Sequence, residues 1–403
     1  SLDAEFAPAI NAEVQAFAFQ NDGKIVIGGQ FTRAQPKGAV TALVRNHLAR
    51  LNPDGSFDAD FELDAGGRIL VSVTQTDGKV VIGGTFTSVG GATHNYVARL
   101  NADGTVDSTY KPDFNGRVYT MAYEAGSNKV IVGGAFTTIG GESRNRIARL
   151  NPSGTIDSEF HPNIDGQVGV ILLQPDGKIV VGGTFNSLQP IGATEPISRA
   201  NLLRLNSNGT LDTAFDPSPN STVSALALQS DGKLIVGGLF NALTPGFAAN
   251  VSATSFQRPF LARVNTDGTL DPAFLPNPNA QVSTILVQSD GKIIVGGAFT
   301  GLAPTVADVN ATELTTRNRI ARLNTDGSVD AAYNPNANGN VLAAALQSDG
   351  KLIIGGTFTT LQPNADTVFT LRKYAARLNA DGSVDAAFNL DLNEFSGNRV
   401  DSI

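Results

Sequence analysis

Cysteine and tryptophan are both absent from this 403-residue chain, and methionine occurs once. Without cysteine there are no disulfides, no thiolate nucleophile and no Cys-ligated zinc. Charge is sparse, at 16% of residues against the usual quarter or so. Lysine and arginine number 29 against 37 acidic residues, a net charge of −8 with no basic cluster. Phosphate contacts drive nucleic-acid affinity, so this balance points to no nucleic-acid partner. No apolar run reaches the roughly 18 residues of a membrane helix, so no membrane insertion is expected. Nor is a signal peptide visible. The chain opens at Ser1 rather than Met, which reads as processing or excision from something longer.

What is present is glycine, 43 residues of it, and an apolar fraction of 41%. That fraction is enough for a real core, and few charges with many glycines suit short strands and tight turns. The glycines recur in step. Gly-Gly-x-Phe begins at Gly28, Gly83, Gly133, Gly182, Gly237, Gly296 and Gly355. Before each pair stands an Asp-Gly-Lys turn, as at Asp22-Gly23-Lys24, varied in the third repeat to Gly126-Ser127-Asn128-Lys129. Arg-Leu-Asn or a variant follows at Arg50, Arg99, Arg149, Arg204, Arg263, Arg322 and Arg377. Asp-x-x-Phe/Tyr closes each repeat, from Asp58 to Phe61 through Asp385 to Phe388.

Each repeat reads as four strands. Strand A alternates, as in Val14 to Phe19, whereas strand B is a nearly continuous apolar run, as in Ile25 to Gly29. Such a run belongs to a strand covered on both faces. Strand C is typified by Ile147 to Asn151, and a short strand D lies near Thr155 to Asp157. Asp-Gly turns join A to B and C to D as hairpins. One such sheet cannot bury both of its faces, but stacking neighbours can. The expected fold is therefore all-β, a closed seven-bladed β-propeller of four-stranded antiparallel blades, forming one domain over residues 1–403. An open solenoid fits less well, because its coils lack paired hairpins. Residues 1–6 copy the strand D motif and residues 398–403 copy the start of strand A. Either the N-terminal piece completes the last blade, or the chain comes from a longer array.

With these motifs the chain resembles the bacterial delta-sixty-repeat family, a β-propeller domain of unknown function. The Asp-Gly-Lys turn, the Gly-Gly-x-Phe pair, Ala-Arg-Leu-Asn and the Asp-x-x-Phe ending carry the likeness over nearly the whole chain. It implies a propeller in large exported or surface-anchored bacterial proteins and brings no catalytic residues with it. Kelch repeats share a Gly-Gly pair but use a tryptophan that is missing here.

Function should sit where the repeats differ. From the Phe of Gly-Gly-x-Phe to the Arg of strand C the separations are 19, 13, 13, 19, 23, 23 and 19 residues. The B–C loops are thus long in five repeats and short in the second and third. Loops on a rigid scaffold are where binding usually lives. Phe247, Phe256, Arg258, Glu313 and Arg317 are the candidate contacts for a protein or glycan. The repeated Arg and Asp are read as structural, pairing strands and capping the turn after strand D, because a catalytic centre is singular. Asn52-x-Asp54-Gly55-x-x-Asp58 faintly suggests a calcium loop, but it lacks the ligand spacing and distal Glu that such a loop needs. No other cofactor is indicated. His47, His94 and His161 show no metal-ligand spacing and are expected in solvent. Glu142, Asp308, Glu313 and Asp366 could supply a carboxylate pair for a carbohydrate-active enzyme. The leading expectation is a non-catalytic adhesion or binding module, extracellular or on the cell surface. A structural subunit of a filament or layer, self-assembling through terminal strands, is the other alternative.

Overall fold

The computed structural model describes residues 9–35, 41–247, 252–303, 314–365, 367–388 and 399–402. It contains seven three-stranded antiparallel sheets, each in the order A-B-C with strand B in the middle. In the first, Val14–Phe19, Ile25–Gly29 and Leu48–Leu51 are these strands. In the fourth they are Gln167–Leu173, Ile179–Thr184 and Leu202–Leu205. The central placement of strand B explains its unbroken apolar run, since both of its faces are covered.

Strand A of each sheet packs against strand A of the next, from the first sheet to the seventh. The core lies between neighbouring sheets. Ala16, Ala18, Val26 and Leu48 of the first meet Ile69, Val80, Ile82 and Phe86 of the second. The same sandwich recurs between later neighbours. Each fully buried aliphatic side chain contributes about 1.5–3 kcal/mol, so stability resides in these interfaces.

The fourth strand is smaller than expected. Strand D meets strand C through one bridge, such as Leu51 to Phe57 or Leu150 to Ile156. Beyond that bridge the chain turns, because the Asp58 carbonyl accepts from the Phe61 N–H at 3.2 Å. The B–C loop instead forms structure of its own. A two-stranded ladder stands there in the second to seventh repeats, for example Ala242–Leu243 with Phe256–Gln257. The first repeat has a three-stranded version, Ala9–Ile10, Arg33–Gln35 and Leu43–Val44. The D–A linker crosses to the next ladder through one bridge, as Ala65 does to Val89.

Every A–B pairing shifts register at one point, between Val14 and Ala16 and at the equivalent place in the other six sheets. This bulge lies opposite the Gly-Gly pair, where the strands approach too closely for a side chain. The one helical turn described, Pro363–Ala365, is a 3₁₀ segment. No helix among the described residues is long and apolar enough to cross a membrane.

Candidate functional site

The charges that recur in every repeat form one assembly per sheet. Asp58 Oδ2 accepts from Lys24 Nζ at 2.8 Å and from Arg50 Nε at 2.7 Å. Its other oxygen accepts from the Asp60 N–H at 3.2 Å, capping the turn. The Arg50 guanidinium lies over the Phe61 ring at 5.0 Å. Equivalent Lys-Asp-Arg groups occur in the other six repeats, each with its Arg on an aromatic ring.

The arginine also reaches the next repeat. Arg50 donates to the Asp103 carbonyl at 2.8 Å, Arg99 to Pro152 at 2.6 Å, Arg149 to Ser207 at 2.5 Å and Arg322 to Ala380 at 2.5 Å. Arg263 donates likewise to Thr325. The aromatic ring is covered by that same neighbouring hairpin. A Cβ on Gly209 would lie 2.7 Å from Phe160, and the backbone there has φ +88°. Both requirements select glycine. In these five repeats the paired arginine therefore clamps its sheet to the next. Asp54, the other acid of the faint calcium pattern, accepts from the Ser56 N–H at 2.9 Å and from Ser56 Oγ at 2.7 Å. Among the described residues no three His, Cys, Asp or Glu side chains group as metal ligands.

These pairs set an acid limit on stability. Burial pushes the Asp58, Asp157, Asp212, Asp271 and Asp330 carboxyls up, but the Lys and Arg cations outweigh it and hold them below the usual range. Carboxyls depressed on folding stabilise fully above their unfolded value of about 4, and that contribution is lost as pH falls through the folded values. His94 and His161 are shifted down, first by burial. The unfolded chain takes up their protons first, below about pH 6.5, so they give an earlier loss. The expected urea midpoint is flat above pH 7, declines gently below about 6.5 and falls steeply below about 4. The double variant H94Q/H161Q should lose the gentle step and keep the steep one. A midpoint unchanged to pH 3 would contradict the pairing.

The candidate loop residues separate into two groups. Phe247 and Phe256 are exposed. Phe256 stands on the ladder opposite Leu243. Arg258 and Arg317 are buried and point at backbone. Arg258 donates to the carbonyls of Gln257 at 2.7 Å and Pro272 at 3.3 Å. Arg317 donates to Thr316, Tyr333, Asp330 and Ala331 at 2.8–3.3 Å. Both have lowered pKa, with burial the main cause. Glu313, Asp308 and Asp366 lie outside the described residues, as do residues 1–6. Glu142 is exposed and pairs with the buried Arg144 at 3.3 Å. His94, expected in solvent, is buried instead, in the place that Arg144, Arg199, Arg258, Arg317 and Arg372 take in later repeats. The signal for this second arginine series was its constant place, five residues before the Arg of strand C.

Other exposed apolar residues stand on the ladder side. Val44, Ile191, Leu314, Val368, Phe369 and Leu371 all belong to repeats with long loops. The short ladders of the second and third repeats present Ala92, Thr93, Glu142 and Ser143 instead. Beside Phe369, which is 63% exposed, lies a recess of about 340 Å³ lined also by Asn318, Arg319, Asn336, Asn338 and Gln362. Asn318 Nδ2 donates to Asn336 Oδ1 at 2.6 Å, and Asn338 Nδ2 donates to Thr359 Oγ1 at 2.8 Å. A larger cleft of about 770 Å³ separates the fourth ladder, at Ile197 and Ser198, from the hairpin at Asp267-Gly268-Thr269. An exposed aromatic ring at the rim of a polar recess suits a polar ligand with an apolar face.

Small antiparallel sheets stacked side by side, with almost no helix, are the architecture of a β-propeller. The chain belongs to the family described as "Domain of unknown function (DUF5122) beta-propeller". Its profile matches residues 20–61, 75–110, 126–160, 174–215, 229–246, 249–274, 288–307, 312–333 and 347–388. Two of the repeats are matched in two pieces each, broken within the longest loops. No curated protein matches the chain. Among solved structures it is similar to the computationally designed Ika8 protein, with TM-score 0.51, 12% identity and coverage of 93% of this chain and 95% of that one. It is also similar to a streptogramin B lyase, with TM-score 0.46, 17% identity and coverage of 87% and 93%. The virginiamycin B lyase from Staphylococcus aureus gives 0.44, 14%, 80% and 86%. At these identities the likeness is one of fold.

Proposed function

We propose that the chain is a single propeller domain of seven complete blades, acting as a non-catalytic binding module of an exported or surface-associated bacterial protein. Its partner is a glycan or a protein met on the ladder side. One observation carries this reading: exposed apolar side chains gather on the ladders with long loops and are missing from the two short ones. The recess beside Phe369 favours a glycan, with the exposed ring as platform, while Asn318, Asn336 and Asn338 shape its wall. Phe256 and Phe247 extend the same side. The net charge of −8 supports a partner other than nucleic acid. Placement at the cell surface rests on the family resemblance.

A glycan array followed by a reducing-sugar assay tests the proposal. The expected result is retention of one glycan class with no sugar release. Phe369→Ser should weaken retention by about tenfold, the effect of losing one central aromatic contact. Its thermal midpoint should stay within about two degrees, because the side chain is exposed. Release of reducing ends would overturn the non-catalytic reading. Retention unaffected by Phe369→Ser and Phe256→Ser would remove the ladder side as the site.

A further inference from the structure

The seventh sheet does not pack on the first as every other neighbour does. Strand A packing runs from first to second through sixth to seventh, and among the described residues no comparable packing joins Val341–Leu346 to Val14–Phe19. Residues 399–402 lie between these sheets. The Val400 N–H donates to the Gly356 carbonyl of the seventh sheet at 3.0 Å. Arg399 Nε pairs with Glu13 of the first at 3.1 Å.

The register of that segment is that of a new repeat. Arg399-Val400 repeats Arg68-Ile69 and Arg117-Val118, the residues that open strand A in the second and third repeats. Glu13 holds the same place in the first repeat. It is this residue that Arg399 meets. Arg399 therefore stands where the opening residue of a preceding sheet should stand.

The walls on either side are apolar and incompletely covered. Phe17 and Phe19 point away from the second sheet and are 36% and 68% exposed. Their counterparts Met121 and Tyr123 in the third sheet, and Ile285 and Val287 in the sixth, each with a neighbour in front, are buried or half-buried. Ile353 of the seventh sheet is half-buried, whereas Val81, Ile131, Val180, Ile235 and Ile294 are at most 1% exposed. Arg377 keeps its ion pair with Asp385 at 2.8 Å, but no following hairpin receives it among the described residues. Both walls thus continue interfaces already formed elsewhere in the ring.

We infer that the ring has eight positions, and that the eighth takes one more repeat of the same pattern, joined in sequence to Val400 as the start of its strand A. This goes beyond the seven-blade reading, whose ligand surface does not depend on it. The occupant must offer small or aliphatic residues to Phe17 and Phe19, and a glycine hairpin to Arg377 and Phe388. A repeat of this family does both.

The test extends the chain. A copy of residues 342–388 is placed directly after Val400, and a Gly/Ser-rich extension of equal length is the control. The repeat should raise the thermal midpoint by about ten degrees and abolish binding of a hydrophobic dye at the open face, while the control does neither. Phe19→Ser should destabilise the repeat-extended protein strongly and the unextended one barely, a difference that a purely local role for Phe19 would not produce. Equal effects in both backgrounds, or no gain from the added repeat, would overturn the inference. So would concentration-dependent dimerisation of the unextended chain that alone protects Phe19, because a second copy would then be the occupant. Glycan retention measured on both forms separates failure here from failure of the binding proposal.

Discussion

Asp212→Ala should lower the unfolding free energy by about 3–5 kcal/mol, the cost of leaving a buried cation without its partner. Arg204 is buried and donates from Nε to Asp212 at 2.8 Å. Its guanidinium lies 4.3 Å from the centre of the Phe215 ring, which shields that face of the cation from water. Lys178 Nζ approaches the same oxygen at 2.9 Å, but that lysine is a third exposed. Lys178→Met should therefore cost under about 1 kcal/mol, as exposed pairs do. Asp212→Asn keeps the shape and loses the charge, and should fall between the two. Denaturant unfolding of the three variants checks the order Asp212→Ala, Asp212→Asn, Lys178→Met. Equal losses for the alanine and methionine variants would mean that the arginine is solvated after all. The fifth sheet should feel the alanine change too, since the Phe215 ring beside Arg204 packs against the Gly268 hairpin of the next repeat and stability in stacked arrays is shared between nearest neighbours. Hydrogen exchange should then rise in the fifth sheet as well as in the fourth.

The clamp was legible in the sequence because it is repeated seven times and because arginine and aspartate rarely stay buried unless paired. Strands A, B and C were legible for related reasons: period-two alternation, a continuous apolar run and Asp-Gly turns. The ladder was not. Its strands are two residues long, too short for any period, and they sit in segments whose length varies from repeat to repeat. Strand D was overestimated, because Thr155, Ile156 and Asp157 read as a strand while the turn at Asp157 ends pairing after a single bridge. Another feature was hidden by side-chain identity. His47, Tyr96, Arg146, Asn201, Phe260, Arg319 and Tyr374 all have φ between 59° and 68°, a conformation that bulky residues seldom adopt. Tertiary bonds impose it. The His47 N–H donates to the Phe31 carbonyl at 2.7 Å, and its own carbonyl accepts from the Gly29 N–H at 3.1 Å. For Arg258 and Arg317 the obstacle was loop length, which suggested exposure. The structure places both where the loop re-enters the sheet, and there their guanidiniums satisfy carbonyls of the turn after strand D.

The second glycine of each Gly-Gly pair tests how closely strands A and B must approach. Gly183 lies opposite the bulge, and a Cβ built on it would overlap the Gln167 carbonyl oxygen and sit 3.1 Å from the Val168 Cα. Both obstacles are backbone, so no rotamer change relieves them. Gly183 is also held in place on its other side, since its N–H donates to the Asn201 carbonyl at 3.1 Å. Gly183→Ala should therefore cost about 3 kcal/mol or more, at the upper end of overpacking effects. Two other glycines calibrate the result. Gly141 has φ +85° with open space around it, so Gly141→Ala should cost only the backbone strain, about 1–2 kcal/mol. Gly126 has neither a positive φ nor a neighbour within 4 Å. Gly126→Ala should be neutral or stabilising by up to about 1 kcal/mol, through the unfolded state. Thermal and denaturant unfolding of the three alanine variants gives the ranking directly. If Gly183→Ala proved no worse than Gly141→Ala, the strands could separate at the bulge without loss, and the Gly-Gly pair would need an explanation other than close approach.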